Sequence, residues 1–223
     1  KQVRSQTGQL ERVRLPITGS IMRAIKKSLA QRPPDYDNRL LWAACCVGFF
    51  GFLRCGEFLV PDDATFTPET HLALTDISFT TQRGTQVFHI NIKASKTDQF
   101  RSGALVVLAA TASDICPVQA LLDYLGQRGN QPGPLFLTSA RQPLHWRSFV
   151  TQVQQALQEA GIDGSMFNGH SFRIGAATTA SSVGIPETII QRLGRWQSSA
   201  YQGYIRPNPD DLVTVSRQLA QTS

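Results

Sequence analysis

Arg54 and Glu57 stand three apart in "RCGE", and His170 and Arg173 stand three apart in "HSFR". Residues at i and i+3 share one face of a helix, so each pair would present its groups side by side. A guanidinium oriented by a carboxylate can grip a phosphate through two parallel hydrogen bonds. A histidine beside an arginine near a helix start suits an anionic ligand. Taken alone, the first pair reads better as an ion pair closing a helix, and the second as a capped helix with surface charges.

A third stretch, "GRWQSSAYQGYIRP" at 194–207, carries Trp196, Tyr201 and Tyr204, and neither tyrosine sits in an apolar run. The indole N–H of Trp196 is a donor with no acceptor. A phenol has an ordinary pKa of about 10 and needs help to attack at neutral pH. Two arginines on separate helices would stabilise charge on non-bridging phosphate oxygens. A lysine on the polar connection "KASKTDQFRSG" could protonate a leaving oxygen. No cluster of Asp and Glu suits two-metal catalysis, so neither metal nor cofactor is expected. Together the patterns describe phosphoryl transfer by a tyrosine.

The elements that must position these residues follow from periodicity. "ITGSIMRAIKKSLAQ" (17–31) has Ile17, Ile21, Ile25 and Leu29 at helical spacing. After "RPPDYDN", Asp37 or Asn38 would cap a helix running to about residue 59, apolar nearly all round and therefore central. "DISFTT", "TQVFHINI" and "ALVVL" read as short strands of a small antiparallel sheet, the last two joined by the basic connection. Pro117 starts a helix to about Gln127, and a helix within "PLHWRSFVTQVQQALQEAG" ends at Gly161. "GHSFRIGAATTASSVG" and "PETIIQRLG" are further helices, and "PDDLVTVSRQLAQ" a last amphipathic one. The expected fold is mainly α (α+β): a helical core with a small three-stranded antiparallel sheet.

The 223 residues fit one large domain or two small ones, and 41% hydrophobic with 17% charged residues is a globular mix. A net charge of +6, carried mostly by arginine, suggests a polyanionic partner, nucleic acid first. "LLWAACCVGFFGFL" is too short to span a membrane and reads as a buried helix. Four cysteines without CxxC spacing suggest reduced thiols and an intracellular setting.

The boxes, in order, resemble the tyrosine recombinases of the phage integrase family. "FFGFLRCGEFL" is similar to the family's first box, "GHSFRIGAATTA" to its H-x-x-R box, and "RLGRWQSSAYQGYIR" to its last box with the nucleophile. The resemblance implies that Arg54, Arg173 and Trp196 hold the scissile phosphate and that His170 shares a proton near it. It implies Lys96 as general acid for the 5′ oxygen, with Lys93 the competitor, and Glu57 as a supporting hydrogen-bond group. Tyr204 would form a 3′-phosphotyrosyl link. It lies eight residues after Trp196, one short of the family's usual nine; Tyr201 lies five after and is followed by "QG". Arg101, Arg195 and Arg206 would contact DNA.

The same resemblance implies double-stranded DNA as partner, a homo-oligomer (a tetramer) on DNA with a monomer alone, and no membrane. Residues 1–15 would be a linker or arm and 16–223 the catalytic domain, without the family's N-terminal DNA-clamping domain. The Arg-Trp pair resembles recombinases of eukaryotic mobile elements, Crypton-like and DIRS-like, which implies integration or excision of an element in a nucleus. Two other readings share the scaffold: a DNA-binding protein that has given up catalysis, and a type IB topoisomerase-like enzyme.

Overall fold

The computed structural model describes residues 14–93, 103–196 and 198–205. The order is α1 (Gly19–Gln31), α2 (Tyr36–Phe50), α3 (Cys55–Phe58), β1 (Ile77–Gln82), β2 (Thr85–Ile92), β3 (Ala104–Ala109), α4 (Pro117–Arg128), α5 (Trp146–Glu159), α6 (Ser171–Ser182) and α7 (Glu187–Leu193), closed by a short 3-10 helix (Ser199–Tyr204). This is the mainly helical core with a small antiparallel sheet that the periodicity predicts. No described helix is long and apolar enough to cross a membrane.

α2 is the hub, buried from Leu40 to Phe49 except at Trp42, and it packs against α1, α4, α5 and α6. Its cap is Asp35 rather than Asp37 or Asn38: the Asp35 carboxylate accepts from the Asn38 N–H at 2.6 Å. Asp37 instead accepts from the Ser139 N–H at 2.9 Å.

The helix expected to run to residue 59 is two helices. α2 stops at Phe50, and Phe52 takes a left-handed backbone conformation, φ 52°. A non-glycine residue there costs roughly 1 kcal/mol or more. Burial of the Phe52 side chain in the core offsets that cost. The turn leaves Arg54 at the N-terminus of a new helix, α3, and no longer on the flank of α2.

The sheet has the order β1-β2-β3, antiparallel throughout, with Phe88 opposite both Phe79 and Leu108 and Ile90 opposite Ile77 and Val106. Phe88, Ile90, Ile92, Val106 and Leu108 are buried, the alternation a one-sided sheet requires. The β2–β3 connection carries Lys96 and Arg101; both lie outside the described residues, as do residues 1–13 of the expected arm, Arg206 and the tail helix.

Residues 14–17 are tied down: Arg14 Nη1 donates to the Ser165 carbonyl at 2.9 Å, the Leu15 N–H to the Met166 carbonyl at 3.0 Å and the Ile17 N–H to the Ser171 carbonyl at 2.9 Å. This segment crosses α6 at Gly175, where a Cβ would lie 1.8 Å from the Ile17 carbonyl oxygen. Both sides of the contact are backbone, so neither can step aside. Gly175→Ala is expected to lower stability by about 1–3 kcal/mol in thermal unfolding. Gly126→Ala, on a helix position where a Cβ would meet nothing within 4 Å, should raise it by about 0.5–1 kcal/mol. Equal effects would mean that the close approach at Gly175 is not real.

Candidate active site

The site forms where the Gly51–Leu53 turn, α3, the start of α6 and the segment after α7 meet. Glu57 sits at its centre, 6% exposed. Its Oε2 accepts from the Arg54 backbone N–H at 2.7 Å, and its Oε1 accepts from Arg54 Nη1 at 3.2 Å. The i, i+3 pair is therefore both the cap of α3 and an ion pair, and it opens a helix where the sequence suggested that it closes one. Arg195 Nη2 donates to the same Oε2 at 3.2 Å, and Arg173 Nη1 lies 3.9 Å from it. Three guanidiniums thus surround one carboxylate. The cluster carries an excess of positive charge, which an anion would balance.

Arg173 comes from the first turn of α6 and is wholly enclosed. Nη1 donates to the Phe52 carbonyl at 2.6 Å, and Nη2 donates to the Gly194 carbonyl. The Trp196 ring lies over the guanidinium at 4.2 Å and the Tyr204 ring at 5.7 Å, contacts that favour a delocalised cation. Burial first, and then repulsion from Arg54, pushes the Arg173 pKa down to about 10; it remains a cation at neutral pH. Burial also lowers the pKa of Arg195.

Arg128 shows what a purely structural buried arginine looks like in this fold. Its Nε, Nη1 and Nη2 all donate to carbonyls, of Leu135, Gly129, Gln131 and Pro134. At the site, by contrast, Arg173 Nε, Arg195 Nε and Trp196 Nε1 are buried with no hydrogen-bond partner among the described residues. Orphaned buried donors are rare and call for an explanation, of which a missing ligand is one.

Trp196 is 8% exposed and packs as much as it presents. Its ring occupies the space beside Gly194, where a Cβ would lie 1.6 Å from Trp196 Cζ3; that is why glycine precedes the Arg-Trp pair. His170 stands at the exposed N-terminus of α6, one turn before Arg173, with its backbone N–H donating to Asn168 Oδ1 at 2.9 Å.

The two tyrosines have different surroundings. The Tyr201 ring is buried, and its hydroxyl donates to Glu187 Oε2 at 2.5 Å. That bond is the main reason its pKa is pushed up. Tyr204 is half-buried, with its ring 5.1 Å from that of Trp196 and its carbonyl accepting from Thr178 Oγ1 at 3.2 Å. Of the expected site residues, Arg54, Glu57, Arg173, Arg195, Trp196 and Tyr204 form one connected cluster. Sequence reasoning missed the bonding of Arg195 to the Gly51–Leu53 turn and the anchoring of Tyr201 by Glu187; both are contacts between distant segments, without a local pattern.

A helical domain with a three-stranded sheet and an arginine-rich cluster beside a late tyrosine defines a class, and sequence comparison agrees. The chain belongs to the phage integrase family, the tyrosine recombinases, whose family model matches residues 72–209. It is 30% identical over 159 residues to an integrase/recombinase xerD homolog of Selenomonas ruminantium, an alignment covering 68% of this chain and 42% of that protein. In fold it is similar to XerA recombinase (TM-score 0.66, 16% identity, 96% of this chain and 66% of that one). It is also similar to lambda integrase in a dimer bound to a COC′ core site (TM-score 0.63, 16% identity, 91% of this chain and 50% of that one). The chain therefore spans less than half of its curated relative and about two thirds or less of these solved chains.

Proposed function

We propose that this chain is the catalytic domain of a site-specific DNA recombinase that cuts and rejoins strands through a tyrosine. The observation that carries the reading is the convergence of Arg54, Arg173 and Arg195 on Glu57, with the Tyr204 ring over Arg173. Among them, Arg54 and Arg173 are the cations that would stabilise a phosphorane-like transition state without a metal.

In the proposed step, Tyr204 Oη attacks phosphorus and the bond from phosphorus to the 5′ oxygen breaks. A 3′-phosphotyrosyl bond replaces the phosphodiester. The phenolic proton passes to His170, and the 5′ oxygen takes a proton from Lys96. The reverse step, attack by a 5′ hydroxyl, rejoins a strand. One ester replaces another, so no nucleotide cofactor is needed. Arg173 is fully enclosed here, so the segment from Trp196 to Tyr204 must shift for that guanidinium to meet a phosphate.

Further parts of the reading rest on likeness. Lambda integrase has been seen as a tetramer on a Holliday junction, which supports a tetrameric synapse on double-stranded DNA for this chain. The Arg-Trp pair supports a role in moving a mobile element within a nucleus. The test is covalent trapping: a pool of nicked duplexes with randomised cores is incubated with the protein and excess EDTA, then denatured. An SDS-resistant protein–DNA adduct is expected. Binding without any adduct across the pool would favour a non-catalytic DNA-binding role.

A further inference from the structure

Arg195 has an unusual setting for a residue expected to face DNA. Its backbone is left-handed, φ 55°, a conformation glycine would adopt without strain. Its side chain is only 20% exposed. Nη1 donates to the carbonyls of Gly51 and Leu193, both at 3.1 Å. Nη2 donates to the Phe52 carbonyl at 3.2 Å and to Glu57 Oε2 at 3.2 Å. Four acceptors from three segments thus converge on two nitrogens.

Those acceptors share a consequence. Gly51 and Phe52 belong to the turn that ends α2 and releases Arg54, and Glu57 is the group that orients Arg54 through both its backbone and its guanidinium. The Phe52 carbonyl also accepts from Arg173 Nη1 at 2.6 Å. One side chain therefore ties the end of α7 to the turn, to the Arg54 partner and, through a shared carbonyl, to Arg173. A single lysine nitrogen could not span these acceptors; a planar fork can.

We propose that Arg195 is a positioning residue: it locks the Gly51–Leu53 turn and Glu57 so that Arg54 and Arg173 are held at one fixed separation, and it does so without touching DNA. The catalytic consequence rests on the recombinase reading; the lock itself does not.

The experiment compares the parent with Arg195→Ala, Arg195→Lys and Arg195→Gly. The glycine variant relieves the left-handed backbone and guards against simple misfolding. Cleavage of trapped nicked duplex is followed at saturating DNA, DNA affinity is titrated against salt, and hydrogen exchange is read at the amides of residues 52–54. All three variants are expected to bind DNA with the parent's salt slope and to cleave about 100-fold more slowly, the scale expected for a misplaced group. Their turn amides should exchange faster. Weaker binding with a salt slope lower by about one would make Arg195 a phosphate contact and overturn the proposal. Full activity in the lysine variant would overturn it too, because charge alone would then suffice. Faster exchange in the variants of a parent that forms no adduct would uphold the lock while removing the recombinase reading.

Discussion

Tyr204→Phe is expected to abolish the covalent DNA adduct, while Tyr201→Phe keeps it. The two phenols are three residues apart in one 3-10 helix, yet their chemistry differs. The Tyr201 hydroxyl already donates to Glu187 Oε2 at 2.5 Å, and a phenolate there would face that carboxylate. The same bond raises its pKa, the wrong direction for a nucleophile. The Tyr204 ring lies over Arg173, where a phenolate would meet positive charge. Removing the attacking oxygen leaves no substitute, so the adduct yield should fall by at least about 1,000-fold with DNA affinity unchanged. Tyr201→Phe removes a hydrogen bond to an exposed carboxylate and should lower stability only slightly. Mass spectrometry of the adducted peptide decides between them: DNA on Tyr201 would reverse the assignment.

Glu57→Gln is expected to be the most destabilising single substitution at the site. The amide has nearly the carboxylate's shape but no charge, and its NH2 group must face a donor. Arg54 N, Arg54 Nη1 and Arg195 Nη2 all donate into the carboxylate now. Leaving buried guanidiniums without their counter-ion costs about 3–5 kcal/mol. For a domain of this size that is a Tm drop of about 6–20 °C. Inorganic phosphate should restore the variant's Tm more than it raises the parent's, because an anion bound only by the folded state stabilises it by mass action. A drop below about 2 °C, with no phosphate effect, would show that Glu57 does not hold the arginines together.

Both expectations depend on one structural fact that local patterns conceal. The spacing of Arg54 and Glu57 pointed to a shared helix face, and the pair does interact. The reason differs: Glu57 caps the N-terminus of α3, and Arg54 is the residue before its first turn. The apolar run through residue 59 reads as one helix because periodicity does not report a break made by Phe52 at positive φ. Phenylalanine there is specified by its burial, a long-range property.

Residue type and order by themselves determined the family, the mainly helical fold with its small sheet, and the set of groups from which a site could be drawn. They did so because helical and strand periodicities, proline and glycine stops, and box order are all local or linear. Only the tertiary structure decided how those groups meet. It put three arginines on one carboxylate and folded Trp196 into the space a Gly194 side chain would fill. It also bound Tyr201 to Glu187 while leaving Tyr204 over Arg173. The contacts of Arg173 and Arg195 with Glu57, and of Tyr204 with Arg173, join segments far apart in the chain, and their energy depends on burial and charge that exist only once those segments are packed together.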